Sequence, residues 1–407
     1  MKQQPEKVGF HLLRAWGPWG AAVFFLLWQV AFQFVYGFLA DPIQKEFDLS
    51  PFEAASISSV YLLAYGLMQL PAGLLLDRFG VKRILPAAAV LAALSVYFFA
   101  QAQGFSDLVM IRALAGGVMA FVFPGTGKIA QARLPASRFA LAMALADMCF
   151  GVGAVLASGL PWLLNTFSWR EAMSAQAYVG FGLALILWLS VRGLKVPSQT
   201  SGKDENLTQG LFSSLKRPYV LFGAGFYAWG AGLTFGFGGY WNVKLQESCG
   251  CTAPQVSELS TALFAGLALG MLVAGLLGGR PARWRPILRS STILTFLLLS
   301  FILWLSQTAS MNLLLVLMLG LGVALGPCSL AFAVAIFGLP LKHGATVVAL
   351  VNAGGCLSGA LLQELPIWLG RGSGTFLSVS VSYLSVAMIG VFLSWRLPLI
   401  PSNKNYP

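Results

Sequence analysis

Residues 73–83 read Gly73-Leu74-Leu75-Leu76-Asp77-Arg78-Phe79-Gly80-Val81-Lys82-Arg83. This is a short charged hinge between two apolar runs, about 53 to 76 before it and about 84 to 103 after it, each near the ~20 residues with which an α-helix crosses ~30 Å of hydrocarbon. The hinge is built for close quarters. Gly73 lets two helices approach closely, and Gly80 permits a tight turn with φ above zero. Arg78, Lys82 and Arg83 hold the loop at the cytoplasmic surface. Asp77, at a helix end, is placed to face the N-terminus of another helix, where the dipole favours an anion.

Outward from this hinge the same alternation continues. Spanning runs lie at about 19 to 41, 53 to 76, 84 to 103, 107 to 127, 139 to 164 and 172 to 192, and again at about 218 to 242, 257 to 279, 286 to 306, 311 to 333, 345 to 369 and 375 to 396. Twelve spans would use ~240 residues, close to the 57% of the 407 residues that is hydrophobic, while only 10% is charged. The composition is that of a chain whose solvent is lipid. The expected fold is an all-α integral membrane protein of two six-helix bundles, residues 1–192 and 218–407, joined by a polar linker at 193–217.

Charge placement supports the count. With the N-terminus inside, the cytoplasmic segments collect Lys2, Lys7 and Arg14; Arg78, Lys82 and Arg83; Lys128, Arg133 and Arg138; Arg192, Lys195, Lys203, Lys216 and Arg217; Arg280, Arg283, Arg285 and Arg289; Lys342; Arg396 and Lys404. Only Lys45, Arg170, Lys244 and Arg371 fall outside, and Arg112 lies within a span. The net charge of +12 therefore reads as topology, with both termini cytoplasmic, and not as a nucleic-acid surface.

An offset of 205 relates the two halves. Leu134-Pro135 recurs as Leu339-Pro340, Arg138 as His343, Ala144-Leu145 as Ala349-Leu350 and Leu160-Pro161 as Leu365-Pro366, and Asp147 falls on Asn352. Spans five and eleven are thus copies of one element, as in transporters whose parallel repeats face a site near the bilayer midplane.

The hinge resembles the loop signature G-x-x-x-D-R-x-G-x-[RK]-[RK] of the major facilitator superfamily, in the loop where that family carries it. Arg112-Ala-Leu-Ala-Gly116-Gly117 in span four and Ser168-Trp169-Arg170 before span six resemble two weaker signatures. The second half keeps only Gly275-x-x-x-Gly279-Arg280-x-x-Arg283, with Gly279 at the aspartate position. The resemblance implies that Gly73, Asp77, Arg78, Gly80 and Arg83 form a conformational latch, Asp77 meeting the start of span eleven near Gly344. It also implies that spans one, four, seven and ten line the central cavity.

Inside the membrane, an ionisable residue costs at least ~2.5–3.5 kcal/mol at the bilayer centre and is a functional candidate by default. Asp147 lies about eight residues into span five, ~12 Å deep. Proton coupling and hydrogen-bonded packing both fit it. Arg112, ~8 Å from the external end of span four, fits an anion anchor or a partner to a carboxylate, and its length allows snorkelling. Asp41 and Glu364 are expected in solvated positions at helix ends. Gln29, Gln33 and Tyr36 share one face of span one, as either substrate contacts or glue between helices. Ser58, Tyr61, Tyr65 and Gln69 in span two, Tyr227, Trp229 and Thr234 in span seven, and Asn352 extend the list. Pro124 and Pro327 are expected to kink spans four and ten.

The implied function is secondary transport of a small-molecule substrate across the bacterial cytoplasmic membrane by a monomer that uses protons and no cofactor. Uptake of a nutrient such as an amino acid is the favoured direction. Efflux is the alternative, with Gly151-x-Gly153 and Gly159-x-Pro161 loosely like the span-five motif of drug antiporters. Two histidines, His11 and His343, and five cysteines without ligand spacing give no metal site and little basis for an enzyme; no phosphate-binding loop suggests ATP hydrolysis, and no filter repeat suggests a channel.

Overall fold

The computed structural model describes the backbone of residues 5–134, 136–164, 166–194, 217–306, 308–337 and 341–398. Side chains are described from residue 16 onward except at 77, 131, 136–141, 144, 161, 336 and 341–346. The linker expected at 193–217 lies almost wholly outside the described residues. So does the Asp77 side chain, and with it the geometry of the expected latch.

In hydrocarbon every backbone N–H and C=O must be satisfied within the segment, which leaves the helix as the form for a lone span. Among the described residues, twelve helices are long and apolar enough to cross a membrane. They are α1 (Pro5–Phe47), α2 (Pro51–Phe79), α3 (Val81–Ala100), α4 (Phe105–Met119 continued by Val122–Arg133), α5 (Ala136–Ser158, extended by Leu160–Leu164) and α6 (Trp169–Val191). The second half has α7 (Pro218–Ser248), α8 (Ala253–Leu277), α9 (Trp284–Leu305), α10 (Met311–Leu325 continued by Leu330–Ile336), α11 (Leu341–Leu369) and α12 (Phe376–Trp395). The two prolines act where expected. Pro124 has no N–H for the carbonyl four residues back, and α4 breaks at Ala120–Phe121. Around Pro327, α10 tightens into a 3-10 turn over Gly326–Ser329.

The helices start and stop at one end in the hinges near residues 80, 192, 217 and 280, here the linker end, and at the other in the turns near 48, 102, 166, 250, 308 and 371, here the far end. At the far end, Ser50 and Ser168 open α2 and α6 with reciprocal capping boxes to Glu53 and Glu171. Glu46 then collects Trp169 Nε1 at 2.7 Å and Arg170 at 2.6 Å, while Arg170 Nη1 reaches the Ala100 carbonyl at 2.8 Å. One cluster thus pins α1, α3 and α6 together.

The two halves are laid out alike. α5 packs on α1 of its own half and on α8 of the other; α11 packs on α7 of its own half and on α2 of the other. Two extensive seams, α2/α11 and α5/α8, therefore join the halves, with a smaller contact between α1 and α7.

Candidate functional site

Gly80 sits at φ +81°, as the tight turn requires. Gly73 differs from expectation: a Cβ there would meet nothing within 4 Å, so it faces open space and not a neighbouring helix. The close crossing of α2 with α11 falls two turns earlier, at Gly66, where a Cβ would sit 3.1–3.3 Å from Leu357, Cys356 and Ala353. Arg78 and Arg83 are exposed.

Arg112 corrects a second expectation. It does not snorkel; at 1% exposure it is among the most buried residues of the chain. Gly116, one turn on, lets α4 lie directly against the Tyr61 backbone of α2. That contact delivers the guanidinium between α1 and α2, where it donates to the carbonyls of Ile57 at 3.3 Å, Phe32 at 3.2 Å and Gln33 at 3.5 Å. The rings of Tyr61, Phe32 and Tyr36 surround it, with centroids at 4.6, 5.0 and 5.3 Å. Its charge is met by dipoles and ring faces, each ring worth ~0.5–2 kcal/mol, and no carboxylate pairs with it among the described residues.

Tyr36 is likewise engaged. Its hydroxyl donates to the Ala54 carbonyl at 2.9 Å and its ring stacks on Tyr240 of α7. Trp229 turns toward α12, its indole against Gly390, and stands apart from the other candidates.

Four candidates do converge. The amides of Gln29 on α1, Gln69 on α2 and Asn352 on α11 gather around the Tyr65 hydroxyl. All four residues are buried, at 0–2% exposure. Yet, although the three amides lie within reach of the Tyr65 hydroxyl, both amide atoms of Gln29, the Tyr65 oxygen, Gln69 Nε2 and Asn352 Nδ2 complete no hydrogen bond of good geometry. Buried polar groups are normally paired, and each orphan costs ~1–3 kcal/mol. Such a knot of unmet donors and acceptors, drawn from both halves, is what a hydrogen-bonding ligand would satisfy. Gln69 belongs to it although only its place on the polar face of α2 signalled so.

Asp147 is half-buried in α5 and lies near Tyr227 of α7 and Cys328 of α10 across the interface. Tyr227 in turn neighbours Tyr65 and Cys356. Asp147 and the orphaned cluster therefore border one central region.

Between that centre and the far end the halves are shut. Gly37 meets the Gly239 backbone, Phe34 packs on Phe235 and Phe264, and Ser158 bonds Thr261 at 2.5 Å. Asp41 and Glu364 both take part in this closure; Asp41 keeps the solvent-exposed side chain expected of it, and Glu364 departs from that expectation. Asp41 pairs with Lys244 across the halves. Glu364 is 8% exposed and accepts from Ser59 Oγ at 2.7 Å. A cavity of about 10 Å³, room for one water at most, remains among Gln33, Ser58, Phe235 and Gln363.

Comparison with known proteins decides the family. The sequence profile described as Major Facilitator Superfamily matches residues 19–362. The chain belongs to the major facilitator superfamily. It is 32% identical over 150 residues to an uncharacterized transporter, YybO, of Bacillus subtilis, covering 37% of this chain and 34% of the relative. It is 30% identical over 156 residues to a probable galactarate/D-glucarate transporter, GudP, of the same species, with the same coverages. It is 28% identical over 150 residues to a D-galactonate transporter of Escherichia coli, covering 37% and 35%. The matched part thus spans about a third of the length of these relatives. A bacterial homologue of the human lysosomal transporter Spinster, in an inward-facing and occupied conformation, shares the fold with a TM-score of 0.69 at 17% identity, over 97% of both chains. Members of this family are transporters and not enzymes, and this major facilitator chain is a multi-pass inner-membrane protein of twelve helices.

Proposed function

We propose that this chain takes up a small, polyhydroxylated organic acid with protons, by rocking its two halves about the central region. One observation carries the reading: the unpartnered Gln29, Tyr65, Gln69 and Asn352, contributed by α1 and α2 of one half and α11 of the other. Amide and hydroxyl groups of that kind suit a ligand rich in hydroxyls, each capable of giving and receiving a hydrogen bond. The names of the relatives, which are sugar-acid transporters, point to the same ligand chemistry.

A site fed from both halves is consistent with alternating access, since rocking makes and breaks it. Asp147 is the group assigned to the proton. Its repeat partner is the amide Asn352, and an amide meets any packing demand that a neutral carboxyl meets. Only the carboxyl at 147 releases a proton. Charge placement assigns the linker end to the cytoplasm, so the far end, which is shut here, is the outer side.

The test is uptake into proteoliposomes of radiolabelled galactarate, D-glucarate, D-galactonate and a panel of amino acids, with and without an inward pH gradient. Accumulation of a sugar acid should need the gradient. Asp147→Asn should abolish accumulation while leaving counterflow, which moves no net proton, at a third or more of the wild-type rate. Gradient-driven accumulation surviving in Asp147→Asn removes that residue from coupling; transport of amino acids alone overturns the ligand class.

A further inference from the structure

At the far end, α2 and α11 meet through a single carboxyl. Glu364 Oε1 accepts from Ser59 Oγ across the seam, and its other oxygen, Oε2, is buried with no partner. Ser56, one turn from Ser59 on α2, also borders the carboxyl. One well-formed hydrogen bond, with Ser56 a weaker second partner, is poor recompense for the hydration an ionised carboxylate loses on burial. A neutral carboxyl loses far less.

Among the described residues no cation pairs with that carboxyl. The ionisable groups at the far end of the elements around Glu364 are Tyr36, Asp41, Lys45 and Glu46 on α1, Glu53 and Tyr61 on α2, Tyr240, Lys244 and Glu247 on α7, Arg371 just past α11, and Tyr383 on α12. Lys244 is taken by Asp41, Tyr36 and Tyr383 donate to backbone carbonyls, and Glu53 caps α2. None of them hydrogen-bonds the Glu364 carboxyl among the described residues.

We propose that Glu364 is a proton-binding residue of the far-end gate: closing the halves carries its carboxyl out of water, parting them returns it, and a proton bound there holds the gate shut. A group hydrated in one conformation and buried in the other ties proton binding to the conformational equilibrium. Raising the pH therefore opens the far end. The proposal shares with the function above only the rocking of the halves; it needs neither Asp147 nor a particular substrate.

The test places spin labels at the exposed far-end positions 101 and 373 (Gln101→Cys, Ser373→Cys), with Cys249 and Cys251 replaced by serine. Inter-label distances are measured in lipid nanodiscs without substrate from pH 5 to pH 9. The parent should show the short, closed distance at pH 5 and a growing long-distance population toward pH 9. One linked proton changes the open-to-closed ratio by up to ~10-fold per pH unit. Glu364→Gln, the neutral isostere, should stay closed, its ratio changing less than ~2-fold over the range. Ser59→Ala, which keeps the titrating group, should retain the slope. A parent whose distances are the same at pH 5 and pH 9, or a Glu364→Gln variant with the parent's slope, overturns the proposal. Failure of the transport reading would appear instead in the uptake of Asp147→Asn, which this measurement does not involve.

Discussion

The two seams that join the halves occupy equivalent places yet are made differently. In α5/α8 the contact is backbone on backbone: a Cβ at Gly151 would stand 2.7 Å from Ala268 Cβ and 2.9 Å from its nitrogen. The hydroxyls near its far end are mutually satisfied, Ser158 with Thr261 and Ser257 with the Ser158 carbonyl. In α2/α11 the crossing at Gly66 is looser, and the polar groups along it, Tyr65, Gln69, Asn352 and Glu364, are left wanting partners. Pseudo-symmetry supplies two hinges of one shape. Side-chain chemistry makes one of them a bearing and the other a sensor.

Substitutions that treat the seams alike should expose this difference. The largest effect is expected from Gly151→Leu, whose side chain has no room against the α8 backbone. Overpacking of this kind costs ~1–3 kcal/mol or more, so the closed population, read by the same label pair, should fall by up to ~100-fold with abundance preserved. Gly66→Leu, whose neighbours Leu357, Cys356 and the Ala353 carbonyl stand farther off at 3.1–3.3 Å, should fall by less than a tenth of that. Next comes Asn352→Ala. Losing one ligand hydrogen bond of ~0.5–1.5 kcal/mol should raise KM for the transported acid by about 2- to 10-fold while kcat and protein level hold; a drop in abundance with unchanged KM would make Asn352 a packing residue. Smallest is Ser158→Ala. Hydrogen bonds between membrane helices average ~0.6 kcal/mol, so uptake should change by no more than ~3-fold and show no new dependence on pH.

Much of this architecture was legible in the chain itself. Hydrophobic runs place the twelve helices because lipid forces span length and backbone pairing together, although α1 (Pro5–Phe47) and α7 (to Ser248) run well past the runs read at 19 to 41 and 218 to 242. The turn at Gly80 was readable for a local reason, a positive φ. Legibility faded where meaning depends on what lies opposite. Glu364 and Asp41 stand near helix ends, where solvent is the default neighbour, and only the opposing Ser59 and Lys244 turn them into parts of a gate. Arg112 was marked as unusual by its type and depth. Its carbonyl and aromatic setting is assembled from α1 and α2, far away in sequence. Gln69 looked like any other residue on a polar face until Gln29 and Asn352 arrived beside Tyr65.

The middle of α7 has a consequence of its own. Over Thr234–Trp241, the stretch Thr-Phe-Gly-Phe-Gly-Gly-Tyr-Trp winds as a π-helix, which spreads its residues more loosely around the axis than an α-helix does. It holds a surplus residue inside an otherwise regular rod. Were that slack wound back into α geometry, everything beyond it would turn by about 100°, the angle one residue subtends, and advance by ~1.5 Å. Tyr240 would swing off Tyr36, and Lys244 off Asp41. In such a rewinding the far end of α7 would turn as a screw with one thread in reserve, and its contacts with α1 would part.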